Sequence, residues 1–286
     1  MLRKLTILLR MLTMLPGVAA LRLLVKLGQT PLALRLLGRQ TNSVKFKQRP
    51  FAGYTPTKAD VFVATFAKSG TNWMMQIAQQ IAYYGEAEFQ YIHDLIPWPE
   101  APMPTIPAQL ADATIAAKAP TGLRVIKAHF ERGYVPLHPA AKYIVVVRDP
   151  KEVFVSSYYF GKETFGAMSG IDYTLQEWLD LFQTPIFIFG SWAEHTASWW
   201  SVRDEANVLI LTYNEIKSHP RRAIQQVADL MKITLTEAQL DKVVEKSSFA
   251  YMKAHEEQFS LPPPPFSRQS LMSPTLIRRG QSGGHS

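Results

Sequence analysis

The chain has 286 residues, 47% hydrophobic and 19% charged, with a formal net charge of +8. This is ordinary globular composition, long enough for one large domain or two small ones, and too poor in glycine and proline for a fibrous or disordered protein. The absence of cysteine excludes disulfide scaffolds, thiolate metal sites, iron–sulfur clusters and cysteine nucleophiles.

The charge is unevenly spread. Eleven basic residues precede the first acid, Asp60, whereas the rest of the chain carries 20 basic and 23 acidic residues. Basicity therefore belongs to the N-terminal segment, and the main body is not read as a nucleic-acid binder. Residues 1–45 read as a basic, leucine-rich helical extension and residues 46–286 as the main domain. Within residues 1–40, Arg3 and Arg10, Arg22 and Lys26, and Arg35 and Arg39 recur at helical spacing among leucines, punctuated by Pro16-Gly17 and Pro31. Two readings stand side by side: amphipathic helices lying on an anionic membrane surface, or a helical hairpin packed on the domain. A transit peptide is a third, although the segment is poor in serine. The longest uncharged run, Met11 to Leu21, is shorter than the ~20 residues that cross a bilayer. A cytoplasmic protein is expected, peripheral on the membrane under the first reading.

From residue 60 the pattern is strand, loop, helix, repeated. The apolar runs Val61–Phe66, Arg124–Phe130, Tyr143–Val147 and Val208–Thr212 read as strands. Trp73, Ile77, Ile81 and Tyr84 form one helical stripe, and Ile224, Val227, Ala228 and Met231 another. The alternation predicts an α/β fold with a parallel β-sheet flanked by helices on both faces. Thr174 with Glu177 and Thr236 with Gln239 have capping-box spacing. The first opens an amphipathic helix with Leu175, Trp178, Leu179 and Phe182; Ser191 opens another with Trp192, Trp199 and Trp200. No internal repeat is visible, and the proline run 262–265 marks a loop.

Three elements carry chemistry. Lys68-Ser69-Gly70-Thr71 lies between a strand and a helix, where backbone N–H groups and a helix N-terminus converge on an anion. Gly-x-x-x-x-Gly-Lys is absent, so this is not Walker A. Taken alone, the tetrapeptide also fits a tight turn with a solvated lysine. Arg148 follows the strongest strand, at the carboxyl edge where open α/β sheets bind ligands. Ser156 lies about two helical turns further on. An arginine fork beside a serine hydroxyl suits a phosphate; the alternative is an arginine paired with Asp149. In Lys127-Ala128-His129, alternation along a strand puts Lys127 and His129 on one side, where a histidine can take a proton from a hydroxyl. His195, among tryptophans, reads as a core histidine.

In this order, the three elements resemble the cytosolic-type sulfotransferase family, which uses 3′-phosphoadenosine 5′-phosphosulfate as sulfuryl donor. The phosphosulfate loop resembles Phe66-Ala67-Lys68-Ser69-Gly70-Thr71-Asn72-Trp73, the catalytic strand Lys127-Ala128-His129-Phe130, and the 3′-phosphate segment Arg148 through Ser156 into Tyr158-Tyr159-Phe160. Further matches are Gly190-Ser191-Trp192 with His195 and Trp199-Trp200, Leu211-Thr212-Tyr213, Ser247-Ser248-Phe249 and Arg278-Arg279-Gly280. The resemblance runs from about residue 50 to the end of the chain and is specific as an ordered set.

The resemblance implies a P-loop-like sheet and in-line transfer of a sulfuryl group to a hydroxyl or amine of a small acceptor. It implies His129 as general base, Lys68 stabilising charge on the leaving oxygen, and Lys127 holding the sulfonate. Ser156 would restrain Lys68 until acceptor binds and, with Arg148, Arg278 and Arg279, hold the 3′-phosphate. Ser69, Gly70, Thr71, Asn72 and Gly280 would join the donor site. Trp73 would stack on the adenine with Phe249, while Tyr213 and Ser247 would be lesser donor contacts. No metal is expected. Tyr91, Ile92, Ile96, Trp98, Phe130, Phe160 and Phe165 would line an apolar acceptor pocket.

The sequence also departs from the family. Asn72 replaces a second threonine and Ala67 a frequent proline. The usual Arg-Lys-Gly, Gly-Asp-Trp and terminal helix read Arg278-Arg279-Gly280-Gln281-Ser282-Gly283 here. Either the chain is a fragment or its C-terminal cover differs, and oligomeric state stays open. Two other classes remain in play: a phosphoryl-transferring kinase of the P-loop type and a non-catalytic, membrane-attached nucleotide-binding module.

Overall fold

Four short runs of apolar and β-branched residues pair side by side as parallel strands, the first three buried on both faces and the last only partly: β1 (Asp60–Ala64), β2 (Arg124–Ala128), β3 (Lys142–Val147) and β4 (Val208–Thr212). The computed structural model describes residues 16–101, 106 and 108–260, the side chains of 166–169 excepted. Arg278, Arg279, Gly280, the proline run and the first basic pair lie outside the described residues. The strand order is β2-β1-β3-β4. Phe62 sits in register between Ile126 and Tyr143.

The period of two along each strand sorts side chains onto two faces. Val61, Val63, Ile144 and Val146 point into one core. That core is covered by α4 (Thr71–Ala82), α10 (Pro220–Met231) and α11 (Glu237–Lys246). Phe62, Ala64, Ile126, Ala128, Tyr143 and Val145 face the other core, where Trp199 of α8 (Trp192–Trp200) and Phe51 close over them. A sheet covered on both faces is the architecture expected from the alternation.

A third core lies beyond the sheet's carboxyl edge. There α6 (Pro150–Ser169) and α7 (Leu175–Phe182) bring Val153, Tyr173, Trp178 and Phe187 around Phe66. Residues 16–26 form helix α1, and α2 (Thr30–Thr41) follows. Helix α2 packs on this core through Ala33, Leu34 and Gly38. A Cβ on Gly38 would lie 1.9 Å from the Ile186 carbonyl oxygen, so glycine permits the approach. Thr41 Oγ1 and Asn42 Nδ2 donate to the carbonyls of Ile188 and Phe187. The packed-helix reading therefore holds for α2, while Leu32 and Leu36 on its outer side stay exposed.

Several boundaries differ from expectation. β1 stops at Ala64, because the chain leaves the sheet and Phe66 turns into the third core. β2 stops at Ala128, so His129 stands just past the strand. Tyr84 has φ +53° beyond the end of α4 and does not extend its stripe. Leu175 is 53% exposed, and Trp178 and Leu181 carry the buried face of α7 instead. The boxes at Thr174/Glu177 and Thr236/Gln239 both form, and Ser191 caps α8. A third box, Thr212 with Glu215, opens α9 (Tyr213–Ser218); its Thr-x-x-Glu spacing was available in the sequence.

Candidate active site

The ends of β1, β2 and β3 lie side by side, and the groups that follow them share one edge. After β1 the chain turns sharply through Lys68 (φ +70°) and Gly70 (φ +92°), two left-handed positions around Ser69. Gly70 is the N-cap of α4, and a Cβ there would lie 3.0 Å from Cδ2 of Tyr213. Glycine is thus required by both conformation and space. Ser69 is fully buried, and its Oγ has no hydrogen-bond partner among the described residues. An orphaned hydroxyl just before the N-terminus of a twelve-residue helix fits an anionic group, because the first-turn N–H groups of a helix have no partner within it. Thr71 Oγ1 is 2.5 Å from Thr65 Oγ1, which ties the helix start to the strand end. Asn72 Nδ2 donates to the Phe259 carbonyl at 3.4 Å.

Arg148, after β3, crosses to this loop. Its Nη1 donates to the Lys68 carbonyl at 2.9 Å, and its Nε to Glu152 at 2.9 Å. The carboxylate partner is therefore Glu152, one helical turn on, and not Asp149. The guanidinium lies 4.4 Å over the Tyr213 ring. Tyr213 in turn meets Trp73 edge-on at 5.5 Å. Trp73 donates its indole N–H to the Ser247 carbonyl at 2.8 Å, while the Ser247 hydroxyl donates to Val243 within its own helix end. Phe249, at the start of α12 (Phe249–Ala254), is 48% exposed. An open cleft lined by Val147, Arg148, Asp149, Pro150, Trp192, Thr212, Tyr213 and Asn214 adjoins Arg148. Ser156 lies half-buried on α6; its neighbour Ser157 turns inward to Phe154 and Trp178.

Lys127 and His129 emerge on one side, as alternation requires. Lys127 Nζ lies 3.5 Å over the Trp98 ring, and the His129 ring meets the same indole at 5.5 Å. Lys68 Nζ lies 4.1 Å over Phe160. Burial pushes the Lys127 ammonium down to about 7, against the pull of Glu100 and with the help of the Lys68 charge. Burial first, then the Lys127 charge, holds the His129 imidazole well below its ordinary range, so the ring is neutral. Its Nδ1 is 2.8 Å from the Thr65 carbonyl oxygen. A carbonyl only accepts, so Nδ1 carries the hydrogen and Nε2 keeps its lone pair. That is the tautomer a proton acceptor needs.

Of the residues read as acceptor lining, Trp98 and Phe160 stand at this site. Ile92 and Ile96 belong to the core under the sheet, and Phe165 packs on Trp178 in the third core. His195 is buried beside Phe66, as its place among tryptophans suggested. Sequence reasoning missed Glu100, which is 5% exposed and accepts the backbone N–H groups of His129 and Phe130. Its signal was a lone acid in the apolar, proline-bounded stretch Ile96-Pro97-Trp98-Pro99-Glu100.

A left-handed turn at a helix N-terminus, an arginine, two lysines and a neutral histidine meet at neighbouring strand ends, an arrangement suited to transfer of an anionic group on an α/β fold. The family described as "Sulfotransferase domain" matches residues 58–284. Mouse Sulfotransferase 1B1 is 31% identical over 206 residues, covering 70% of this chain and 67% of that protein. Human Sulfotransferase 1C2 is 28% identical over 227 residues, covering 76% and 71% respectively. Among solved structures, mouse sulfotransferase SULT7A1 complexed with PAP superposes with a TM-score of 0.62 at 21% identity, covering 86% of this chain and 84% of that one. Retinol dehydratase in complex with androsterone and PAP gives 0.59 at 20% identity, covering 81% and 76%. These two share the fold. The chain belongs to the sulfotransferase family. It is an enzyme that transfers a sulfuryl group from 3′-phosphoadenosine 5′-phosphosulfate, and the kinase and non-catalytic readings give way to this one.

Proposed function

We propose that the enzyme sulfates a hydroxyl or amine of a small apolar acceptor, with His129 Nε2 taking the acceptor's proton. The observation that carries this reading is the His129 tautomer, fixed by the Thr65 carbonyl. The bound donor supplies an activated sulfuryl group on a phosphate leaving oxygen. Lys68, Ser69, Gly70, Thr71 and Asn72 would hold its phosphosulfate end, and Arg148 and Ser156 its 3′-phosphate. Arg278, Arg279 and Gly280 join that assignment from the family motif alone. Trp73, met edge-on by Tyr213, would offer a face for the adenine with Phe249, and Ser247 contributes by fixing Trp73 through its carbonyl. Lys127 would hold the sulfonate oxygens. Trp98 and Phe160, packed beside the lysines, support an apolar acceptor, as do the androsterone bound by retinol dehydratase and the retinol in another of its complexes. An acceptor screen with isotopically labelled donor, read by mass spectrometry, tests the reading; sulfation confined to polar, charged acceptors would overturn it.

The donor-side assignment has its own test. Arg148→Ala weakens binding of adenosine 3′,5′-bisphosphate by ~1.5–3 kcal/mol, the value of a hydrogen bond to a charged group, and weakens adenosine 5′-phosphate much less. Titration calorimetry with the two nucleotides measures this. Equal losses would place Arg148 away from the 3′-phosphate.

We further propose a cytoplasmic enzyme held at a membrane surface by α1 and α2. None of the described helices is long and apolar enough to cross a bilayer, so the contact would be peripheral. Leu23, Leu27, Leu32 and Leu36 are exposed, and Lys26, Arg35 and Arg39 are exposed on the same two helices. Exposed leucines among cations suit anionic headgroups, each cation contributing up to ~1 kcal/mol. Deleting the segment would strip Leu34 from the third core, so point changes are the cleaner probe. The full chain is expected to float with phosphatidylserine vesicles and Leu23→Asp/Leu27→Asp to stay in solution. Equal flotation would show that α1 is not the contact.

A further inference from the structure

The proposed chemistry leaves one buried acid at the site without a role. Glu100 follows the 3-10 turn Ile92–Asp94 and reaches the end of β2 from outside the sheet. One carboxylate oxygen accepts the His129 N–H at 2.5 Å and the other the Phe130 N–H at 3.1 Å. The same segment accepts the Lys127 N–H on the Pro97 carbonyl at 2.9 Å and places Trp98 against both Lys127 and His129. Residues 97–100 thus lace the backbone of Lys127, His129 and Phe130, the first two of which are read as carrying chemistry.

The charges there are few and of mixed sign. Glu100 faces Lys127 and the two peptide N–H groups; Lys127 faces Glu100 and Lys68. His93, stacked on Trp98 and donating from Nδ1 to the Ile96 carbonyl, is held down to about 3 by burial and by Lys127. It is therefore neutral, like His129. Burial pushes the Glu100 carboxyl up to about 8, even with its two peptide donors and Lys127 drawing it down.

We propose that Glu100 is the positioning residue of this site, seating His129 through the two backbone hydrogen bonds its carboxyl accepts from His129 and Phe130. The seating is a statement about the ring's geometry, and its purpose rests on the reading of His129 as base. A staple that only closes the loop would show the same hydrogen bonds, so the test reads the imidazole itself. In the full chain labelled with 15N-histidine, the His129 signals are assigned by their loss in His129→Ala. In Glu100→Gln they are expected to move from the Nδ1–H pattern toward mixed tautomers, and turnover to fall while adenosine 3′,5′-bisphosphate affinity holds. Glu100→Asp, which keeps the carboxyl but shortens its reach, is expected to shift the same signals less, and it carries the test if Glu100→Gln fails to fold. A His129 pattern unmoved in both variants would overturn the proposal, whereas a moved pattern with unchanged turnover would overturn the reading of His129 as base and leave the seating standing.

Discussion

His129→Ala lowers turnover by ~10²–10⁴-fold, the usual loss when a positioned general base is removed, and leaves adenosine 3′,5′-bisphosphate affinity nearly unchanged. The separation follows from the site's layout. The imidazole projects from the end of β2, held by the Thr65 carbonyl and edge-on to Trp98, whereas the groups read as nucleotide-holding follow the ends of β1 and β3. The pH profile sharpens the test. Because burial and Lys127 hold the imidazole well below its ordinary range, kcat/KM should show no acid limb near 6.5, where an unperturbed histidine loses its lone pair to a proton. Near-wild-type turnover in the variant, or an acid limb at 6.5 that vanishes with it, would contradict the geometry.

Lys68→Met slows the chemical step by ~10²–10³-fold, as removal of a preorganised donor to a developing oxyanion does. Methionine keeps the stem that packs over Phe160 and meets the same left-handed backbone, so the change isolates the ammonium. Single-turnover rates with labelled donor measure the loss, and equilibrium binding of adenosine 3′,5′-bisphosphate should weaken far less. If rate and affinity fall together, Lys68 binds ground state and transition state alike and is no electrostatic catalyst. The variant should also raise the Lys127 midpoint, because Lys68 is the like charge that lowers it.

The strands and the loop after β1 were legible because their signals are local. A run such as Tyr143–Val147 is apolar at every position, as a strand buried on both faces must be. Lys127 and His129 share a side because period two allows nothing else. Arg148 is legible at the right edge, and the ion pair that the alternative reading assigns to Asp149 goes to Glu152, because residues four apart on a helix face the same way. Glu100 offers only its isolation among prolines and apolar residues as a signal, because its segment has no periodicity and its partners are N–H groups that carry no side-chain signature. Ile92 and Ile96 were read as pocket lining because hydrophobicity does not distinguish a core from a ligand wall. Helix α2 could be split between packed and exposed sides only once Ile186 was seen against Gly38.

The strand order β2-β1-β3-β4 places β2 at the margin of the described sheet. The groups read as nucleotide-holding follow β1, β3 and β4, whereas Lys127, His129 and the Trp98 packed on them gather at the end of β2, with Phe160 reaching in from α6. Acceptor preference can therefore drift mainly through the segments flanking the outer strand, residues 91–100 and 130–138, while the donor half stays fixed by its mutual contacts. Selection for a new acceptor would then leave most of its mark on one margin of the protein. Exchanging those two segments between relatives should transfer taste for the acceptor without disturbing the Michaelis constant for the donor.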